Sequence, residues 1–324
     1  MYNFKYHYVV FGYEPDYFQI MFHDAVKNAD VEYIEDPIHY SIDNAFFRSL
    51  CALHNNRYIN HFLKLPFKHV WYPLFYKNKQ NKPLCFVFLM HWNRKPQNRI
   101  IEVFRKHYPS SKFVLYLEDI VESDRLFDYD AVDIFDMVVT YDKGDSMKYG
   151  YTYLPSFLSK IEIMSDSSNH SNCCFVGLPK NRVSTIYTLY DQLKLKGLKC
   201  DFVLPNVKKS ERCRDGINYS NKFISYKEYL GHIANTDCII EIMQKNASGY
   251  TLRTWEALLY GKKLLTNNKS ILTAPFYNPD QFIYFEDASR INAEKIVDNR
   301  DLERFPAESL SPVKLFELIE NAFS

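Results

Sequence analysis

The segment 237–266, DCIIEIMQKNASGYTLRTWEALLYGKKLLT, holds the residues whose types and spacing best suit a chemical task. An apolar run at 238–242 reads as a buried strand, and it delivers Gln244, Ser248 and Gly249 into a loop that opens a helix over 251–260. Ser248 and Thr251 can seat that helix, whose first N–H groups lack intrahelical acceptors and favour a phosphate. Gly249 permits close backbone approach. Arg253 and Glu256 are three apart and share a helix side. A carboxylate at Glu256 can accept hydrogen bonds from both hydroxyls of a ribose, while Arg253 offers a fork to a diphosphate oxygen. The pair also reads as ordinary surface charges. A second segment, GLPKNR at 177–182, leaves a strand and enters a helix, so its amides with Lys180 or Arg182 could neutralise a diphosphate. A solvated helix start explains it equally well, and the chain contains neither GxGxxG nor a Walker lysine motif.

Acid–base candidates fall at strand ends in the first half. Glu118 and Asp119 follow the run 113–117, Asp142 follows 137–140, and His91 follows 84–90. The adjacent carboxylates favour Asp119 as a general base, because a like charge beside it can raise its pKa. Each of the four also reads as structural, and His91, next to Trp92, reads as a base, a phosphate contact or packing. Asp128-Tyr129-Asp130 has DxD spacing, but Phe127 before it and Ala131-Val132 after it suit an acidic turn, so no metal ligands are assigned. The seven cysteines include no CxxC pair and read as buried thiols.

These residues need an α/β frame. Apolar runs at 8–11, 31–34, 84–90, 113–117 and 137–140 alternate with helical patterns at 17–26 and 97–108. The polar stretch SDSSNHSN at 165–172 marks a boundary, giving domains 1–164 and 165–324. The pattern then restarts: strands at 173–176, 200–204, 238–242, 263–266 and 283–285, helices at 183–196, 226–234 and 251–260, and a surface loop at 207–222. Near-continuous apolar runs suit parallel strands covered on both faces. The tail 312–323 has helical apolar spacing and could pack back on the N-terminal domain.

With 40 Lys and Arg against 39 Asp and Glu, no global field draws the chain to nucleic acid. The N-terminus reads as neither signal peptide nor membrane span, which gives a cytoplasmic expectation. The charge is uneven, however: residues 44–101 contain no Asp or Glu, and in 57–82 Arg57, Lys64, Lys68, Lys77, Lys79 and Lys82 interleave with aromatics. That segment reads either as a basic face over a packed aromatic core or as a surface that meets a diphospholipid or an anionic bilayer, peripheral at the inner membrane face.

The strand, small-residue loop and helix ending in Glu256-Ala257-Leu258, followed by Gly261-Lys262-Lys263-Leu264-Leu265-Thr266, resembles the donor segment of GT-B glycosyltransferases. The stretch from Tyr141-Asp142 to Leu154-Pro155 is similar to bacterial surface-polysaccharide transferases of that superfamily. The resemblance implies two Rossmann-like domains facing across a cleft, with Glu256 on the nucleotide ribose and the small residues before the helix on phosphate. It implies a metal-independent hexosyltransferase, without cofactor, that moves a sugar from a nucleotide-diphosphate donor, a UDP-sugar, to a hydroxyl of a lipid-linked or growing glycan acceptor in capsule, O-antigen or exopolysaccharide assembly. Retaining members often carry two glutamates seven apart; Ser248 stands at the first position, which favours an inverting single displacement. A nucleotide-sugar epimerase of GT-B fold and a non-catalytic GT-B-like scaffold are the alternatives.

Overall fold

The computed structural model describes residues 2–13, 16–37, 41–63, 65–94, 98–164, 167–222, 224–243, 249–298, 302 and 305–324. They form two compact units, Met1–Pro155 with Pro312–Ser324 and Ser156–Ser311, so the stretch 165–172 lies within the second.

In the first unit the order is β1 (His7–Phe11), α1 (Asp16–Met21), β2 (Val31–Ile34), α2 (Ala45–Asn55), α3 (Arg57–Phe62), β3 (Leu84–Leu89), α4 (Arg99–His107), β4 (Lys112–Leu117), β5 (Met137–Thr140), α5 (Lys143–Tyr149) and β6 (Thr152–Tyr153). The strands make one parallel sheet, ordered β2-β1-β3-β4-β5-β6. Every residue of β1 and β3 is buried, as strands sandwiched between layers require. Phe11, Phe86, Phe88, Phe104 and Phe113 stack and interlock as one aromatic cluster between the sheet and α4.

The second unit runs β7 (Ser171–Val176), α6 (Val183–Leu195), β8 (Cys200–Val203), β9 (Ile217–Asn218), α7 (Tyr226–Ala234), β10 (Thr236–Glu241), α8 (Leu252–Tyr260), β11 (Lys263–Thr266), β12 (Phe282–Tyr284) and α9 (Glu294–Val297). Its sheet is also parallel, ordered β12-β11-β10-β7-β8-β9. Numbered from β7, this is the Rossmann order 3-2-1-4-5-6, with its reversal between β7 and β10. The last helix, α10 (Val313–Ala322), returns to the first unit: Phe316 packs on Tyr8 at 4.6 Å between ring centroids, and Glu320 accepts the Tyr8 hydroxyl at 2.9 Å and the Lys5 amide at 2.9 Å.

The fold is therefore α/β with two Rossmann-like sheets, as the alternation of apolar runs predicts. Two expectations need correction. The stretch 207–222 is not all loop, because Ile217 and Asn218 pair with Phe202 and Val203. The aromatics before β3 do not all fold into a core: Trp71, Tyr72, Phe75 and Tyr76 are buried, whereas Phe62 and Phe67 face solvent.

Candidate functional site

Open parallel sheets gather ligands beyond the carboxyl ends of their strands where the strand order reverses. In the second unit that place lies between β7 and β10, whose following loops are the two segments selected for phosphate chemistry. Arg253 connects them. From the first turn of α8 its Nη2 donates to the Val176 carbonyl at the end of β7 (2.7 Å), and its guanidinium lies 5.3 Å from the centre of the Phe175 ring. Gly177 makes this approach possible, since a β-carbon there would stand 2.8 Å from Nη2. The Nε–H of Arg253 is buried and has no hydrogen-bond partner among the described residues. A buried cationic N–H left in that state favours an anionic acceptor.

Thr251 is the N-cap of α8, and its hydroxyl accepts the Arg253 amide at 3.2 Å. The nine-residue helix directs its positive end at the same loop. Gly249 has φ +83, a left-handed conformation that suits glycine, and Asn268 holds its carbonyl through a 2.8 Å bond from Nδ2. Behind the loop, Glu241 at the end of β10 is buried and accepts the hydroxyls of Thr251, Thr254 and Thr266, which ties the helix start to two strand ends. The sequence reading missed Glu241; the signal available was an acidic residue closing an otherwise apolar strand.

Glu256 is on α8 but has no solvent exposure. Oε1 accepts the Tyr226 hydroxyl at 2.7 Å and Oε2 the Tyr229 hydroxyl at 2.5 Å, both from α7. Burial raises its pKa, against the opposing pull of those two bonds and of Arg253. The carboxylate thus clamps α7 to α8 in this arrangement. Arg182 is similarly occupied: it donates to the carbonyls of Ile242, Leu178 (2.8 Å) and Pro179 (3.3 Å), bracing one loop against the other, and burial with the nearby Arg253 charge lowers its pKa. Lys180 is exposed at φ +47 beside this brace. Gln244 and Ser248 lie outside the described residues.

Two of the four acid–base candidates, Glu118 and His91, meet around Tyr13 at the corresponding reversal in the first unit, between β1 and β3. Glu118, at the end of β4, accepts the Tyr13 hydroxyl at 2.6 Å and the Met90 amide at 2.9 Å. Its pKa is pushed up to about 7, mainly by burial, with Asp119 a minor contributor. Asp119, its neighbour, is exposed, and its Oδ1 accepts the Ile120 amide at 2.9 Å. His91 stacks on Tyr13, 4.6 Å between ring centroids, and its Nδ1 lies 3.2 Å from Arg94 Nη1. Since arginine only donates, Nδ1 is the acceptor and a neutral ring carries its proton on Nε2. Burial and the Arg94 charge lower the His91 pKa, so the ring favours that neutral form. Asp142 is buried and serves as the N-cap of α5, accepting the Asp145 amide at 2.9 Å. Asp128 is bound into the fold by Asn98 at 2.7 Å and by Asn93 at 3.0 Å, which gives the DxD spacing a structural use.

The chain is similar to several solved structures. A kitacinnamycin glycotransferase is 10% identical, with a TM-score of 0.45 over 98% of this chain and 99% of that one. The spinosyn rhamnosyltransferase SpnG is 9% identical, with a TM-score of 0.39 over 90% and 89%. A UDP-N-acetylglucosamine 2-epimerase from Rickettsia bellii is 11% identical, with a TM-score of 0.41 over 98% and 94%. No protein-family model and no curated protein matches.

Proposed function

We propose that the chain is a glycosyltransferase that takes a sugar from a nucleoside-diphosphate donor, UDP-linked, to a hydroxyl of a lipid-linked or growing glycan. The observation that carries this reading is the buried, unpartnered Nε–H of Arg253 at the mouth of α8, between the two loops at the strand reversal. The N-terminus of α8, the Gly249 backbone and Arg253 would hold the diphosphate and stabilise its charge as it leaves. That set of donors asks for no metal. Among the residues that Glu256 positions are Tyr226 and Tyr229, and the ribose would lie against this part of α8 rather than on the enclosed carboxylate itself.

In an inverting displacement the acceptor oxygen forms a bond to the anomeric carbon while the bond from that carbon to the diphosphate oxygen breaks. The acceptor proton passes to a carboxylate and the electron pair leaves with the nucleotide. Glu118 suits the proton's destination, since its pKa of about 7 leaves it partly ionised at neutral pH and basic enough to take a proton. Tyr13 and the Met90 amide would hold it in place. The test is calorimetric binding of UDP, GDP, CMP and their common sugar conjugates without added metal, followed by transfer assays with the conjugate that binds. Selective binding of a UDP-sugar and its consumption with an acceptor would support the reading; no binding by any of the panel would refute it.

A further inference from the structure

Three cysteines stand in a row across the second unit's sheet. Cys173 of β7 pairs in register with Cys200 of β8 on one side and with Cys238 of β10 on the other. Residues paired in register point to the same face of a sheet, so the three thiols share one. Cysteine ordinarily serves a core as a small apolar residue, and Cys238 follows that use: it is fully buried, and its thiol donates to the Ile239 carbonyl at 3.5 Å. Cys173 and Cys200 depart from it. Their sulfurs touch at 3.6 Å, and Cys200, at the start of β8, is half-buried, whereas Cys173 is enclosed in the core.

That difference gives the two thiols unlike roles. The Cys173 thiol donates to the Cys200 sulfur and so lowers the Cys200 pKa, and the Lys194 ammonium near the end of α6 acts in the same direction. The same contact, and after it burial, raises the Cys173 pKa. Cys200 is therefore the thiol that ionises first and the one that solvent reaches. Cys173 lies against it, in place to attack a sulfur already oxidised.

We infer that Cys200 and Cys173 form an oxidative modification site for a small hydroperoxide, closing to a reversible disulfide between β7 and β8. The Cys200 thiolate attacks the outer peroxide oxygen: an S–O bond forms, the O–O bond breaks, and the alkoxide leaves and takes a proton from solvent. The Cys173 sulfur then attacks the Cys200 sulfenic acid. An S–S bond forms, the S–O bond breaks, and the hydroxide leaves as water with the Cys173 proton. The two sulfurs together lose two electrons and the peroxide gains them, so that two thiols and a hydroperoxide become a disulfide, an alcohol and water. Reversibility follows from the sheet. Neighbouring strands lie about 4.7–4.9 Å apart, while the β-carbons of a disulfide prefer about 3.5–4.5 Å, so closure draws the two strands together and strains them. A strained disulfide is readily reduced. The inference is independent of the donor chemistry proposed for this unit.

Peroxide treatment of the full chain tests this, with alkylation under denaturing conditions and mapping by mass spectrometry. C213S, which removes the exposed thiol, is mapped beside wild type so that cross-links between chains are recognised. Both should lose the Cys173 and Cys200 thiols to hydrogen peroxide as one intrachain disulfide, and reduced glutathione should restore them. In C213S/C173S, Cys200 should stop at the sulfenic acid and be trapped by dimedone; in C213S/C200S, Cys173 should stay alkylatable. The wild-type map decides the matter by itself should C173S not fold. Cys173 and Cys200 still alkylatable after peroxide, a disulfide from either to another cysteine, or a cross-link that glutathione leaves intact would overturn the inference. So would oxidation of Cys173 that persists in C200S.

Discussion

Replacing Glu256 tests how the second unit is held together. Its carboxylate is enclosed and accepts two phenolic hydroxyls, so E256A removes the acceptor from Tyr226 and Tyr229 together and leaves a void. An unsatisfied buried donor costs about 1–3 kcal/mol, and two of them make E256A destabilising by about 3–5 kcal/mol, a large share of a domain's stability of about 5–15 kcal/mol. E256Q keeps the volume and one acceptor oxygen, and should cost about 1–2 kcal/mol. The pH dependence has a defined sign. Burial raises the Glu256 pKa above its ordinary value of 4.5, so the folded state binds its proton more tightly than the unfolded chain does. The resulting stability is fully present below the unfolded value and is lost as pH rises through the folded value. Glutamine has no such contribution, so the stability gap between wild type and E256Q should narrow as pH is raised from 4.5. Urea unfolding followed by tryptophan fluorescence over a pH series measures it, with Trp255 on the same helix as reporter. An E256A cost below about 1 kcal/mol, or a gap that widens with pH, would refute the reasoning.

Other perturbations separate binding, chemistry and capping. G177A would place a β-carbon against Arg253 Nη2, displace it from the Val176 carbonyl and strain the backbone at φ +153, so it should lower the melting temperature and weaken UDP binding about tenfold or more; unchanged affinity would remove Arg253 from the diphosphate. E118Q should leave UDP affinity intact, lower the transfer rate about 10²–10⁴-fold and abolish the rise of kcat/KM through pH about 7 that an ionising Glu118 predicts; a surviving rise would assign it to another group. T251V should lose the cap of α8 and destabilise by about 1 kcal/mol in chemical unfolding, with T251S restoring it; equal stability of both would show the cap to be idle.

Much of the frame was legible because its strands are covered on both faces and therefore read as unbroken apolar runs. β5 and β11 match the runs at 137–140 and 263–266, and the helix pattern at 226–234 is α7, opened by the Ser225 and Glu228 capping box. The order of those strands was not legible, since a run of apolar residues does not say which neighbour it pairs with. That order is what brings the loops after β7 and β10 together. Within the site, Arg253, Thr251 and Gly249 stood out by type and spacing. The enclosure of Glu256 did not, because it depends on two tyrosines some thirty residues earlier on another helix. The preference for Asp119 over Glu118 rested on charge repulsion alone, whereas the folded chain perturbs Glu118 chiefly through burial, which adjacency in sequence does not report.

The central claim is that the loops after β7 and β10 hold a nucleoside diphosphate. Amide hydrogen exchange of the purified chain, with and without saturating UDP, addresses it directly. The account predicts added protection at residues 249–253 and at 177–182, with the first unit's sheet unchanged. Protection confined to other segments, with those two loops unaffected by bound UDP, would contradict it.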